Sequence, residues 1–231
     1  MQKVAVLYRE PVRHAVEPAR WCEHVAATIA PTCHAVTLLL RNRELPTEIL
    51  ATGGLDTTIG AALVLWIDRS ERLHELAAGL AWPGNHRRSY ALVESVVVDY
   101  PLVDWPPGTR SPGATLLALL RKRPELSKAE FTARWEHHST LSVRLHPLTR
   151  YHRNVVVGTA AGEPPDCDGL VEERIGSLDD LAPERFYIGP GAQDEAVKSL
   201  DSYVDIANGG LTCALMDEYL IKLPAWLRSS H

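Results

Sequence analysis

Four prolines and two glycines crowd one short stretch of this chain: Pro101, Pro106, Pro107, Pro112, Gly108 and Gly113 within PLVDWPPGTRSPG, residues 101–113. Proline offers no backbone N–H and blocks the helical path, so this stretch is neither a helix interior nor a central strand. It reads as an extended linker, and it falls almost at the midpoint of the 231 residues. A chain of this length suits one mid-sized domain or two of about 100 residues each. The linker favours two, with bounds at 1–103 and 114–224.

The same order of elements can be read on either side. Before the linker, the apolar runs 3–9, 36–41, 59–67 and 92–98 predict strands, and Glu17-Pro18 opens a helix with proline in its first turn. Leu73, Leu76, Ala77 and Leu80 predict a second helix. After the linker, strands are predicted at 114–120, 154–158, 170–176 and 214–223. Ser127 and Glu130 form a capping-box spacing that starts a helix running towards Leu145, and a further helix is predicted from Asp194 to Ile206. Each side therefore reads β-α-β-β-α-β, the ferredoxin-like order. A short motif repeats at matching places: Ala19-Arg20-Trp21 with His24, and Ala133-Arg134-Trp135 with His138. The expected fold is α+β, two ferredoxin-like βαββαβ repeats forming an intramolecular α/β barrel. Each sheet would cover the other's apolar face, and the barrel would offer a small-molecule cavity. Such a protein is either a monomeric pseudo-dimer or a homodimer.

The segment Phe131-Thr132-Ala133-Arg134-Trp135-Glu136-His137-His138, with Leu141, Leu145, Pro147 and Arg150-Tyr151-His152-Arg153-Asn154 following, resembles the EthD family of the dimeric α/β-barrel superfamily. Asp168-Gly169 and Ser177-Leu178 also fall in a similar pattern. Thr140 stands where that family usually has proline, and residues 182–193 are an atypical insertion. The motif histidine is His137 or His138; downstream spacing favours His138. The resemblance implies chemistry of the superfamily's kind: cyclases, isomerases, dehydratases, decarboxylases, cofactor-free monooxygenases and haem-binding branches. Fold alone does not choose among them.

Composition removes several classes. Lys and Arg total 24 against 29 Asp and Glu, a net charge of −5, so no basic field exists for nucleic acid. No apolar run reaches the roughly 18–20 residues of a membrane span, and no secretory leader opens the chain. Cys22, Cys33, Cys167 and Cys213 are scattered and read as reduced thiols of a cytoplasmic protein. Metal-ligand spacing is absent.

Ten histidines against two phenylalanines put acid–base chemistry first. His138, with His24 as its counterpart, is the candidate general base or acid, and Tyr151 the candidate oxyanion group. Trp135, Trp21, Glu172 and Tyr203 are the candidate substrate-binding residues. Of the adjacent Glu172 and Glu173, a strand turns one inward, where it needs a partner. The reading is a cofactor-independent lyase or isomerase acting on a small, largely apolar, carbonyl-bearing metabolite. The alternatives are a haem-dependent oxidative protein with His138 or His24 as axial ligand, and a non-catalytic ligand-binding protein.

Overall fold

A computed structural model describes residues 1–9, 17–41, 54–56, 58–68, 87–100 and 103–225 of the chain. The helix predicted around Leu73 to Leu80 lies outside them. Before the linker come β1 (Gln2–Arg9), α1 (Pro18–Thr28), β2 (Ala35–Leu40), β3 (Gly54–Leu55), β4 (Ile59–Ile67) and β5 (Arg87–Val98). After it come β6 (Ala114–Leu120), α2 (Lys128–Leu145), β7 (Leu148–Thr159), β8 (Gly169–Ile175), α3 (Pro183–Phe186), α4 (Ala192–Asp201) and β9 (Leu211–Lys222).

The strands hydrogen-bond in the order β2-β4-β1-β5 and β7-β8-β6-β9, which is the same permutation twice and the ferredoxin-like one. β5 pairs with β7 and β9 with β2, both antiparallel, so the eight long strands close into a barrel without free edges. The short β3 adds in parallel to β9 at Thr212 and Cys213, beyond the reach of β2. The barrel of two ferredoxin-like arcs is thus the expected fold.

Closure explains why runs such as β4, IGAALVLWI, are apolar throughout rather than alternating. One face of β4 looks into the barrel and the other lies under α1. In β1, Val4, Val6 and Tyr8 pack outward with Cys22 and Val25 of α1, while Ala5 and Leu7 point inward beside Val64, Leu117 and Met216. The barrel interior is not uniformly apolar. Lys3, Arg150 and Glu172 meet in it, all at most 4% exposed.

α2 begins at the expected capping box, with the Ser127 side chain accepting from the Glu130 N–H and the Glu130 carboxylate accepting from the Ser127 N–H. Its buried stripe of Phe131, Trp135, His138, Ser142 and Leu145 steps by four and three, the period of one helix face. Gly169 lets that face sit close to the sheet. A Cβ there would lie 2.5 Å from Cζ3 of Trp135. Gly169→Ala should therefore cost about 2 kcal/mol in urea unfolding, and an unchanged midpoint would mean that Trp135 is not wedged against β8.

The described part of the linker, 103–113, turns at 106–109 and runs along β9, its Gly108 and Ser111 N–H groups donating to Leu220 O and Glu218 O at 2.8 Å each. It ends at Gly113, where φ is +74° and a Cβ would fall 1.9 Å from Ile175 O. Two boundaries differ from the sequence reading. β7 begins at Leu148, which puts Arg150 and Tyr151 inside the strand. The last helix stops at Asp201 and gives way to turns before Gly209 and Gly210.

Candidate functional site

A cavity of about 100 Å³ lies between the sheet of β6, β8 and β9 and the helices α2 and α4. It is therefore on the outer face of the barrel, not in its centre. Trp135, His138 and Ser142 of α2 line one wall, with His146 just past the helix end. Leu116, Ala118, Val171, Glu173 and Cys213 form the sheet wall. Phe186, Ala196, Leu200 and Tyr203 close it.

His138 is 8% exposed. Its Nδ1 lies 3.0 Å from Ser199 Oγ, and its ring stacks at a tilt against Tyr203, 5.5 Å between centroids. Burial, with His146 and His137 nearby, lowers its pKa to about 4, so the imidazole is neutral at pH 7. Ser199 occupies Nδ1 and leaves Nε2 for a ligand. His146 is also held neutral by burial. Its Nδ1 lies 3.0 Å from the Phe186 carbonyl, which only accepts, so Nδ1 carries the proton and Nε2 the lone pair.

Glu173 is a carboxyl with no protein partner among the described residues. Strand alternation turns it to the cavity while its neighbour Glu172 faces the barrel. Its carboxyl makes no hydrogen bond or ion pair among the described residues, and burial raises its pKa to about 7. That value is matched to proton transfer at neutral pH. Glu172, expected at the substrate, is elsewhere. It is fully buried in the barrel, 2.6 Å from Lys3 Nζ and 3.1 Å from Asn154 Nδ2, because the pleat sends it there.

The two tyrosines divide the expected roles differently. Tyr151 lines the cavity, but its hydroxyl accepts from Trp135 Nε1 at 3.2 Å and lies 3.1 Å from Ser139 Oγ. Ser139 already donates to the Trp135 carbonyl at 2.8 Å, so Tyr151 donates to Ser139 and has no hydrogen left for an oxyanion. Tyr203 is fully buried and its hydroxyl has no partner among the described residues. Burial pushes its pKa well up, so it is a neutral O–H donor facing the cavity.

Trp21 and His24 lie on α1, outside this cavity. Both are partly buried, edge to face with centroids 6.1 Å apart. β4, in the sheet under α1, offers them no acid: it contains no titratable residue, and Ala61, Leu63 and Leu65 fill its outer face. His24 thus shares no site with His138. Ser142 and His146 were not singled out from sequence, although their spacing of four and eight from His138 places them on its helix face. Among the described residues no group of three His, Cys, Asp or Glu side chains could hold a metal ion, and no helix is long and apolar enough to cross a membrane.

The architecture and this sheet–helix cavity define a protein with the dimeric α/β-barrel fold. Solved structures agree. The chain is similar to an anthrone oxidase-like protein (12% identity, TM-score 0.55, 97% of this chain and 95% of that one). It is also similar to a candidate monooxygenase of Fusobacterium nucleatum subsp. nucleatum (8% identity, TM-score 0.54, 96% and 92%). A mutant chlorite dismutase of Candidatus Nitrospira defluvii matches as well (10% identity, TM-score 0.50, 93% and 91%). At these identities the likeness is one of fold. No family model and no curated protein matches the chain in sequence, so the fold stands while the EthD assignment gains no support.

Proposed function

We propose that the chain is an oxidative enzyme that uses acid–base chemistry in this cavity to activate a small, uncharged substrate towards dioxygen. The observation that carries the reading is Glu173, an unpartnered carboxyl in an apolar chamber, tuned to exchange a proton near pH 7. The ionised carboxylate removes a proton from an activated C–H or phenolic O–H. Tyr203 donates to the oxygen on which charge develops. Neutral His138 hydrogen-bonds the substrate through Nε2. The resulting carbanion or its phenolate equivalent is electron-rich enough to reduce dioxygen. For an activated methylene, one dioxygen converts the CH2 group to a ketone carbonyl and releases one water. One oxygen atom stays on carbon, and the other leaves with both methylene hydrogens. Carbon loses four electrons and dioxygen gains them. The names of the fold neighbours, anthrone oxidase-like and monooxygenase, favour this outcome over the cyclase, isomerase or lyase reading, which shares the first step.

Haem is the other oxidative route that the sequence left open. His138 supplies a suitable nitrogen, but a cavity of about 100 Å³ would have to open further to admit the macrocycle. Haemin added in equimolar amount should give no Soret shift of histidine ligation. Oxygen-electrode measurements with activated phenols and carbon acids test the main reading. We expect dioxygen consumption in one-to-one proportion to product. Product formation at the same rate without oxygen would overturn it in favour of lyase or isomerase chemistry.

A further inference from the structure

The cavity carries more polar capacity than the deprotonation step uses, and its arrangement names a ligand class. On the helix wall, Ser142 Oγ is buried without a partner one turn from His138. Among the described residues Tyr203 Oη is likewise buried and unpartnered, and Glu173 stands alone in the sheet wall. Buried polar atoms rarely stay unsatisfied, and those around a cavity are normally completed by what fills it. The middle of the chamber is apolar, with Leu116, Ala118, Val171 and Leu200 around it.

Size sets the second constraint. An apolar cavity of about 150 Å³ accepts benzene, so a cavity of about 100 Å³ favours a single ring over a larger ligand. Charge sets the third. No Lys or Arg lines the cavity, so a carboxylate or phosphate would be desolvated opposite Glu173 with no counter-ion.

We propose that the ligand is an uncharged single-ring diphenol, with one oxygen held by Ser142 and His138 and the other by Tyr203 and Glu173. This deepens the oxidative reading and rests on it for turnover. In the corresponding reaction one hydroquinone and one dioxygen give one hydroxybenzoquinone and one water. Glu173 takes the phenolic proton, and a ring C–O bond forms as the O–O bond breaks. One oxygen atom stays on the ring as the new hydroxyl. The other leaves as water with the two hydrogens that the ring system loses, so the organic molecule gives up four electrons and dioxygen takes four.

The test is anaerobic calorimetry with hydroquinone, phenol and benzoate on the full chain at pH 8, where turnover cannot occur. Hydroquinone should bind about tenfold more tightly than phenol, the worth of one further buried hydrogen bond, and benzoate should bind most weakly. Ser142→Ala, which removes a hydroxyl without adding bulk, should bring hydroquinone to the phenol level and leave phenol unchanged. Tyr203→Phe should weaken both. Equal binding of hydroquinone and phenol to the parent, or benzoate binding as tightly as either, overturns the ligand class. If hydroquinone binds as expected yet no oxygen is consumed in air, the class stands and the oxygenation falls. If another substrate consumes oxygen while hydroquinone does not bind, the class alone falls.

Discussion

Glu173→Gln should lower turnover at neutral pH by about 10²–10⁴-fold, the range expected when a positioned general base is removed. The substitution keeps the shape of the side chain and its place on β8, so the loss reads the proton and not the packing. In the parent, the rate should rise with pH through about 7 as the carboxyl ionises, and that limb should vanish in the variant. Stability supplies an independent check. The folded pKa of about 7 lies above the ordinary carboxylate value, so between roughly pH 4.5 and 7 the native state keeps a proton that the unfolded chain releases. Folding stability is therefore lost as pH rises through this window. Above pH 7 the Gln variant should unfold at higher urea than the parent, by roughly 1–3 kcal/mol, a discounted figure because the carboxyl meets the cavity's solvent. A stability gain with undiminished turnover would make Glu173 a bystander.

His138 works in the opposite sense. Its folded pKa of about 4 lies below the ordinary imidazole value, so between pH 6.5 and 4 the unfolded chain binds a proton that the native site refuses. Stability falls as pH falls through that window, and His138→Gln should flatten this part of the acid-unfolding curve measured by circular dichroism.

Much of this fold could be read from residues because its signals are local. The linker prolines, the Ser127–Glu130 cap and runs such as 59–67 and 114–120 each specify an element by backbone chemistry alone, and the repeat of Trp and His on two helices linked the two arcs. The site was less legible. His138, Trp135 and Tyr203 do line the cavity, but which of two adjacent glutamates turns towards it depends on the pleat register of β8, set by its pairing with β6 and β7. That Tyr151 has its hydrogen committed depends on Ser139 and Trp135 meeting it across α2 and β7, which no spacing states. The internal repeat is even misleading as a guide to the site. It makes His24 the equal of His138, whereas the aliphatic face of β4 beneath α1 offers no acid to work with. Two arcs that share packing positions need not share a site whose acid comes from a different strand.

Lys3→Met should destabilise the fold by about 3–5 kcal/mol, the usual cost of breaking a buried ion pair from one side. Lys3 Nζ lies 2.5 Å from Glu94 and 2.6 Å from Glu172. The first partner belongs to its own arc and the second to the other, so this ammonium ties the two sheets from within the barrel. Around it, Arg150 pairs with Glu218 at 2.6 Å and lies 3.7 Å from Glu172, while His152 Nδ1 is 2.9 Å from Glu94. Burial alone would raise Glu94, but His152 and Lys3 outweigh it and bring its pKa to about 2. In Glu172 burial is likewise outweighed, by Lys3 and Arg150 with His152, and its pKa is lowered. Both carboxylates thus contribute stability above about pH 4.5 that is lost as pH falls through their lowered pKa values, about 2 for Glu94. Removing Lys3 strips a counter-charge from both, so the variant should unfold at lower urea at pH 7 and lose less of its remaining stability on acidification. Adding Glu172→Gln to Lys3→Met should recover part of the loss by removing a charge left short of a partner. Additive losses in the double variant would show that Lys3 acts through its ammonium over the Trp66 ring, 4.6 Å from the centroid, and not through the ion pair that joins the arcs.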